Sequence, residues 1–189
     1  MEDVTAAAYD IHVEQLFARI QQLHALLTRA GIPYRIVGGM AVFLHVSERD
    51  PLLARLTRDV DAGIDRRDLP AIIEAARSEG LAYRHVAGVD MLTDAAQARA
   101  RSAVHFVFLR EKVRPTDLQA IPDSEPVATR EGILLASVRD MVHMKLTSYR
   151  LKDRVHIQDL DAVGLITGEI EAGLPEALRA RLAEVRASE

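Results

Sequence analysis

The chain has 189 residues, 49% hydrophobic and 28% charged, enough for one sizeable core or a core with a helical appendage. Its 24 basic and 28 acidic residues alternate in sign and leave a net charge of -4, so no global field recruits nucleic acid or an anionic membrane, and any such contact is local. The absence of cysteine excludes disulfides, thiolate metal sites and cysteine nucleophiles. No stretch approaches the roughly 18 consecutive apolar residues of a membrane span, and no basic segment precedes an apolar run near Met1, so a cytoplasmic protein is expected.

Val13, Phe17, Ile20, Leu23 and Leu27 recur at steps of three and four, which predicts an amphipathic helix from Ile11 to Ala30, ended by Gly31 and Pro33. Tyr34 to Val37 reads as a short buried strand. Gly38-Gly39 then turns the backbone into a helix carrying Met40, Ala41, Phe43 and Leu44. After the Asp50-Pro51 break, Asp59 to Ile64 alternates as a second strand, and Leu69 to Ser78 follows as a helix begun by Asp68 with Pro70 near its first turn. Two strand-then-helix units in series indicate an α/β layer fold.

Leu81 to Val86 and Ala103 to Leu109 are further strand candidates, separated by a polar, Ala-rich segment from Thr93 to Ser102. Pro115, Pro122 and Pro126 make Arg114 to Val127 an irregular connection, long enough to border a cleft. Helical spacing returns from Ser137 through Val138, Met141, Val142, Lys145 and Leu146. A second helix carries Val155, Ile157, Leu160 and Val163, and Leu174 to Arg186 is a last amphipathic helix. The organisation expected is an α/β core over 1–130 with a helical segment over 131–189 packed on it as one compact unit.

The chemistry concentrates between Val37 and Asp61. In a strand, residues i and i+2 face the same way, so Asp59 and Asp61 present two carboxylates on one face while Val60 points into the core. Two hard oxygen ligands on a stiff strand suit Mg²⁺, which completes its octahedron with water and substrate phosphate. A Gly-Gly helix start leaves backbone N–H groups and the positive helix end open to phosphate oxygens. Each feature alone has a plain structural explanation, a tight turn in one case and a solubilised edge strand in the other. No P-loop, paired-His protease motif or Ser-centred elbow is present.

Together, Gly38-Gly39 followed by Asp59-Val60-Asp61 resembles the nucleotidyltransferase superfamily with the polymerase-beta-like fold, in particular small bacterial proteins similar to the AbiEii toxin group. A second match is Met144-Lys145-Leu146 through Arg150 to Asp153, followed by Asp159-Leu160, which resembles the helical signature downstream of the core in those proteins. The resemblance implies an α/β (α+β) fold, a mixed β-sheet flanked by helices with a C-terminal helical segment. It implies transfer of a nucleoside monophosphate from an NTP to an acceptor (tRNA, protein or small molecule), with an antitoxin protein as a further partner. Asp59 and Asp61 are implied as ligands of Mg²⁺ (or Mn²⁺), Gly38 and Gly39 as the triphosphate cradle, and Lys145 as the cation reaching the β- or γ-phosphate. Asp153 is implied as a residue orienting Lys145 or Arg150.

Two departures stand out: the spacing from Gly39 to Asp59 is longer than the family's common form, so that an insertion containing Asp50-Pro51 is looped out, and the third acid is missing. The strand expected to carry a third carboxylate reads Val104-His105-Phe106-Val107-Phe108, with His105 in the acid's place. Three roles are open to it: an imidazole ligand suited to Mn²⁺ or Zn²⁺, the base that deprotonates an attacking hydroxyl, or a strand residue in a polar network. The alternative function is a non-catalytic nucleotide- or partner-binding module of the same fold, and a weaker one is an acid-mediated phosphohydrolase. Arg55 and Arg58 precede the acids and are candidates to neutralise triphosphate. Arg110, Lys112 and Arg114 form a candidate local contact to a nucleic-acid backbone. His45 is expected to border the nucleotide, and His143 and His156 are read as helix-face residues.

Overall fold

The apolar stripe of the first helix is the floor of the core: Leu16, Ile20, Leu23 and Leu27 are all buried. Phe17 sits at the edge of the stripe and packs edge-to-face on Phe43, with ring centroids 6.4 Å apart. These residues belong to α1, Glu2–Arg29. The computed structural model describes residues 2–57, 59–96 and 103–188.

Strand β1 (Arg35–Val37) runs directly into α2 (Gly38–Arg49). A turn at 51–53 and an irregular stretch lead to β2 (Val60–Ile64). A 3-10 turn, Arg66–Asp68, then feeds α3 (Leu69–Ser78). The expected cap Asp68 makes no side-chain bond to the helix; Asp65 opens the 3-10 turn instead, accepting from the Arg67 N–H at 3.0 Å.

Strands β3 (Leu81–Val86) and β4 (Val89–Asp94) form a hairpin, and β5 (Val104–Phe108) lies beside β4. Strand β4 is absent from the sequence reading. Its turn is Ala87-Gly88, with φ of 50° and 78°, the left-handed pair of a tight hairpin, and alanine does not advertise that conformation. The two-residue strands β6 (Val127–Ala128) and β7 (Leu134–Leu135) also went unread, being too short to show periodicity. Helices α4 (Val138–Ser148), α5 (Leu151–Ala162), α6 (Gly168–Ala172) and α7 (Glu176–Ala187) complete the described chain. Ser137 caps α4, its hydroxyl accepting from the Asp140 N–H at 3.1 Å.

Among the described residues, seven strands make one mixed sheet in the order β3-β4-β5-β2-β1-β7-β6. Strand β2 is central, antiparallel to β1 and parallel to β5. Its alternation divides the two faces: Val60, Ala62 and Ile64 are buried in the core, so Asp61 and Gly63 occupy the other side. Helices α4 and α5 pack on α2, and α7 packs on both. Among the described residues, no helix is long and apolar enough to cross a membrane.

Candidate functional site

The end of β1 is extended at Val37 (φ -129°, ψ -165°), and Gly38 then adopts φ +71° as the first residue of α2. A side chain here is strained by the backbone and excluded by a neighbour. A Cβ on Gly38 would fall deep inside contact with Asp61 Oδ2 and 2.9 Å from its Cγ. On Gly39, a Cβ would lie 2.7 Å from Thr57 Oγ1 and 3.4 Å from His156 Cε1. Two bare backbone units at a helix start, one against a carboxylate, thus line a cleft of ≈ 640 Å³.

Register sets the acids. Asp61 is opposite Val37 on β1 and opposite His105 on β5, and His105 is in turn opposite Met91 on β4. Cross-strand partners share a face, so Asp61, His105 and Met91 form a row across the cleft floor. His105 Nδ1 is 3.5 Å from Asp61 Oδ1. The bond to Asp61 raises the His105 pKa; burial opposes this, and the charges of Asp61 and Asp59 reinforce it. Asp59 lines the same cleft one residue before β2. Glu111, another acid near this strand, is turned away and holds Arg66 at 2.6 Å. Arg58 lies outside the described residues.

Lys145 and Asp153 approach from the helical side. Lys145 is only 5% exposed yet lines the cleft, and its Nζ donates to Asp153 Oδ1 at 3.2 Å. Asp153 is fully buried and also accepts from Ser148 Oγ (2.8 Å), Arg150 Nε (2.6 Å) and the Arg150 backbone N–H (3.2 Å). Burial alone would raise the Asp153 pKa, but the Arg150 bond, the Lys145 charge and the Ser148 hydroxyl together hold it far below the usual carboxylate range. Burial also depresses Lys145, partly offset by Asp153 and by the more distant Asp61. The carboxylate therefore holds both cations in place.

Among the described residues, no three His, Cys, Asp or Glu side chains are arranged to hold a metal. The donor set still suits Mg²⁺ or Mn²⁺. Two carboxylates meet the one or two that Mg²⁺ takes from a protein, and the bare Gly38-Gly39 backbone leaves room for phosphates to supply further ligands. Asp59 and Asp61 are the residues that would hold the ion.

The same architecture occurs in known structures. The solution structure of the antibiotic-resistance factor ANT(2'')-Ia superposes over 94% of this chain and 95% of its own, at 12% identity and TM-score 0.57. ANT(2'')-Ia in complex with adenylyl-2''-tobramycin superposes over 90% and 98%, at 11% identity and TM-score 0.55. The fold is nucleotidyltransferase-like. No protein-family model and no curated protein matches the sequence.

Several residues occupy places the sequence did not indicate. His45 does not border the cleft; it is buried, with Nε2 2.8 Å from the Ala136 carbonyl oxygen. Six residues past Gly39 is about one and two-thirds turns, which carries the side chain away from the helix mouth. Arg55 pairs with Asp159 at 2.9 Å. Arg110 is bound to Asp65 and Asp123, so of its basic cluster it is Arg114 that lines the cleft. His156, read as a helix-face residue, reaches the cleft beside Gly39. Its Nδ1 is buried without a protein partner, and burial, with the charge of Lys145, depresses its pKa to about 4. A usable signal existed: His156 stands three residues after Asp153 and shares its helix face.

Proposed function

We propose that this protein is a metal-dependent nucleotidyltransferase that moves a nucleoside monophosphate from an NTP to an acceptor hydroxyl. The observation that carries the reading is the Asp61 carboxylate against the bare Gly38 backbone, in a cleft that Asp59 and Lys145 also line. In the reaction, the acceptor oxygen bonds to the α-phosphorus and the bond to the bridging oxygen breaks. Pyrophosphate departs with that electron pair, and the hydroxyl proton goes to a base. A divalent ion on Asp59 and Asp61 would offset the phosphate charge. The N–H groups at the start of α2 receive phosphate oxygens, and Lys145 supports the β- or γ-phosphate.

His105 is the base in this reading. With Nδ1 toward Asp61, its other nitrogen remains for the acceptor proton, and the carboxylate stabilises the imidazolium that forms. Its approach to Asp61 supports an enzyme over a module that only binds nucleotide. Of the acceptor classes tRNA, protein and small molecule, the last draws support from the ANT(2'')-Ia complex, which holds an adenylylated small molecule.

The test is isothermal titration with non-hydrolysable ATP, GTP, CTP and UTP analogues, with and without Mg²⁺ or Mn²⁺. Metal-dependent binding that disappears in Asp59→Asn/Asp61→Asn is expected. Absence of binding under any metal refutes the reading.

A further inference from the structure

The cleft has two chemically different halves. Near the Gly38-Gly39 turn it is lined by Asp59, Asp61, Lys145 and Arg150. Beyond His105 the floor is Met91, then Val89 and Val107, two residues along their strands on the same face. The 113–121 stretch also lines the cleft and contributes Val113 and Ile121, with Asp117 near enough to Arg150 for its charge to act on that guanidinium. Val113 is 64% exposed and Val89 39% exposed, so the apolar surface continues to the mouth. The acid in that stretch is Asp117, and its Oδ2 already accepts the Arg114 backbone N–H at 2.8 Å. Arg114 itself adds a positive charge, and Gln119 is the neutral polar group there.

Among the described residues, this half lacks what a polycation needs, a group of uncommitted carboxylates, and within the 113–121 stretch Arg114 is the one base, too few to track a phosphate backbone. It does offer what an uncharged amphipathic molecule needs: apolar walls with a few neutral or singly charged polar groups in a cavity of small-molecule size. Resting on the nucleotidyltransferase reading, we infer that the acceptor is a small uncharged molecule with an apolar face and a hydroxyl group. Its apolar face packs on Met91, Val89, Val107 and Val113, and its hydroxyl lies toward His105. That hydroxyl oxygen bonds to the α-phosphorus and takes the nucleoside monophosphate, its proton passes to a base or to water, and pyrophosphate leaves with the electron pair of the broken bond.

The probe is hexyl β-D-glucoside, uncharged and hydroxyl-bearing with an apolar tail. Tobramycin and bulk tRNA serve as polycationic and polyanionic comparators. Each is titrated into the full protein with and without a non-hydrolysable ATP analogue and Mg²⁺. The glucoside is expected to bind more tightly than either comparator, and Val89→Glu or Val113→Glu to weaken it on the order of tenfold. Both positions are exposed, so neither variant threatens folding. Both variants retain nucleotide binding. Nucleotide binding without glucoside binding overturns the acceptor inference and leaves the nucleotidyltransferase reading standing, as does tighter binding of tobramycin or tRNA. Glucoside binding that the two variants weaken, in a protein that binds no nucleotide, refutes that reading while the apolar subsite survives as a binding site.

Discussion

The carboxylate of Asp61 occupies the space that a side chain at position 38 would need. The glycine and the acid therefore specify each other: one leaves the volume, the other fills it with a negative charge at a helix start. Gly38→Ala is expected to destabilise the fold by about 1–3 kcal/mol, from φ +71° and the displaced carboxylate, and to weaken metal-dependent nucleotide binding. In Gly38→Ala/Asp61→Ala the overlap with the carboxylate is removed, while the Cβ of residue 61 stays 3.0 Å away and the backbone strain remains, so a smaller loss, about 1–2 kcal/mol, is expected and binding stays lost. Urea melts with calorimetry on the four proteins of this cycle separate the two effects. Unimpaired nucleotide binding by Gly38→Ala would remove the cradle assignment.

The buried ion-pair node is asymmetric. Asp153→Ala strands Lys145 as an unpaired buried cation, and a loss of about 3–5 kcal/mol is expected. Lys145→Met leaves Asp153 with Arg150 and Ser148, so a smaller loss, about 1–2 kcal/mol, is expected. Chemical denaturation of both variants checks the ordering, and equal losses would contradict it.

Acid sensitivity should trace to His156. Its folded pKa, about 4, is below the ordinary 6.5, so the folded state binds fewer protons than the unfolded chain near neutrality. The contribution is complete above the unfolded value and is lost as pH falls from 6.5 through about 4. It amounts to at most roughly 3 kcal/mol, less whatever cleft water screens. His143 shifts the same way through burial and adds to the slope. Asp153, held far below its usual range, gives way only at lower pH. His156→Gln is expected to flatten the stability profile across this window in urea melts; an unchanged slope would place the acid sensitivity elsewhere.

The wall stretch is tied down by charge. Asp123 accepts from the buried Arg35 at 2.7 Å and from Arg110, which also holds Asp65. Asp123→Ala is expected to speed amide hydrogen exchange over 110–124 and cost about 1–3 kcal/mol, since Arg35 keeps only the Ser124 carbonyl. Unchanged exchange in that stretch would show that its order comes from packing.

The features legible in the sequence are those with strong local rules. A Gly pair at a strand-helix junction and an Asp-x-Asp alternation have few conformational solutions, and register then brought His105 to Asp61 as its place in the third-acid strand suggested. What escaped either breaks a local rule or depends on contacts distant in sequence. Strand β4 and its Met91 were hidden behind an alanine in a left-handed turn. His156 becomes a cleft residue only because α5 packs on α2. The exposed valines at the mouth look like surface noise until Val89 and Val113 are found around one cavity.

The last turn of α4 is finished from far away. Arg181 on α7 donates to the carbonyl oxygens of Leu146 (2.7 Å) and Thr147 (2.9 Å), groups that a helix end leaves without partners. Tyr149, in a left-handed conformation at φ 49°, links the two by donating to Glu184 at 2.8 Å. Order of synthesis then matters. A nascent chain that has emerged only through α6 has both carboxylates and the glycine turn outside the ribosome, while the helix turn carrying Lys145 and Ser148 is still unclamped. Completion of the cleft would wait on a helix made after every residue that lines it, and that helix contributes none of the lining.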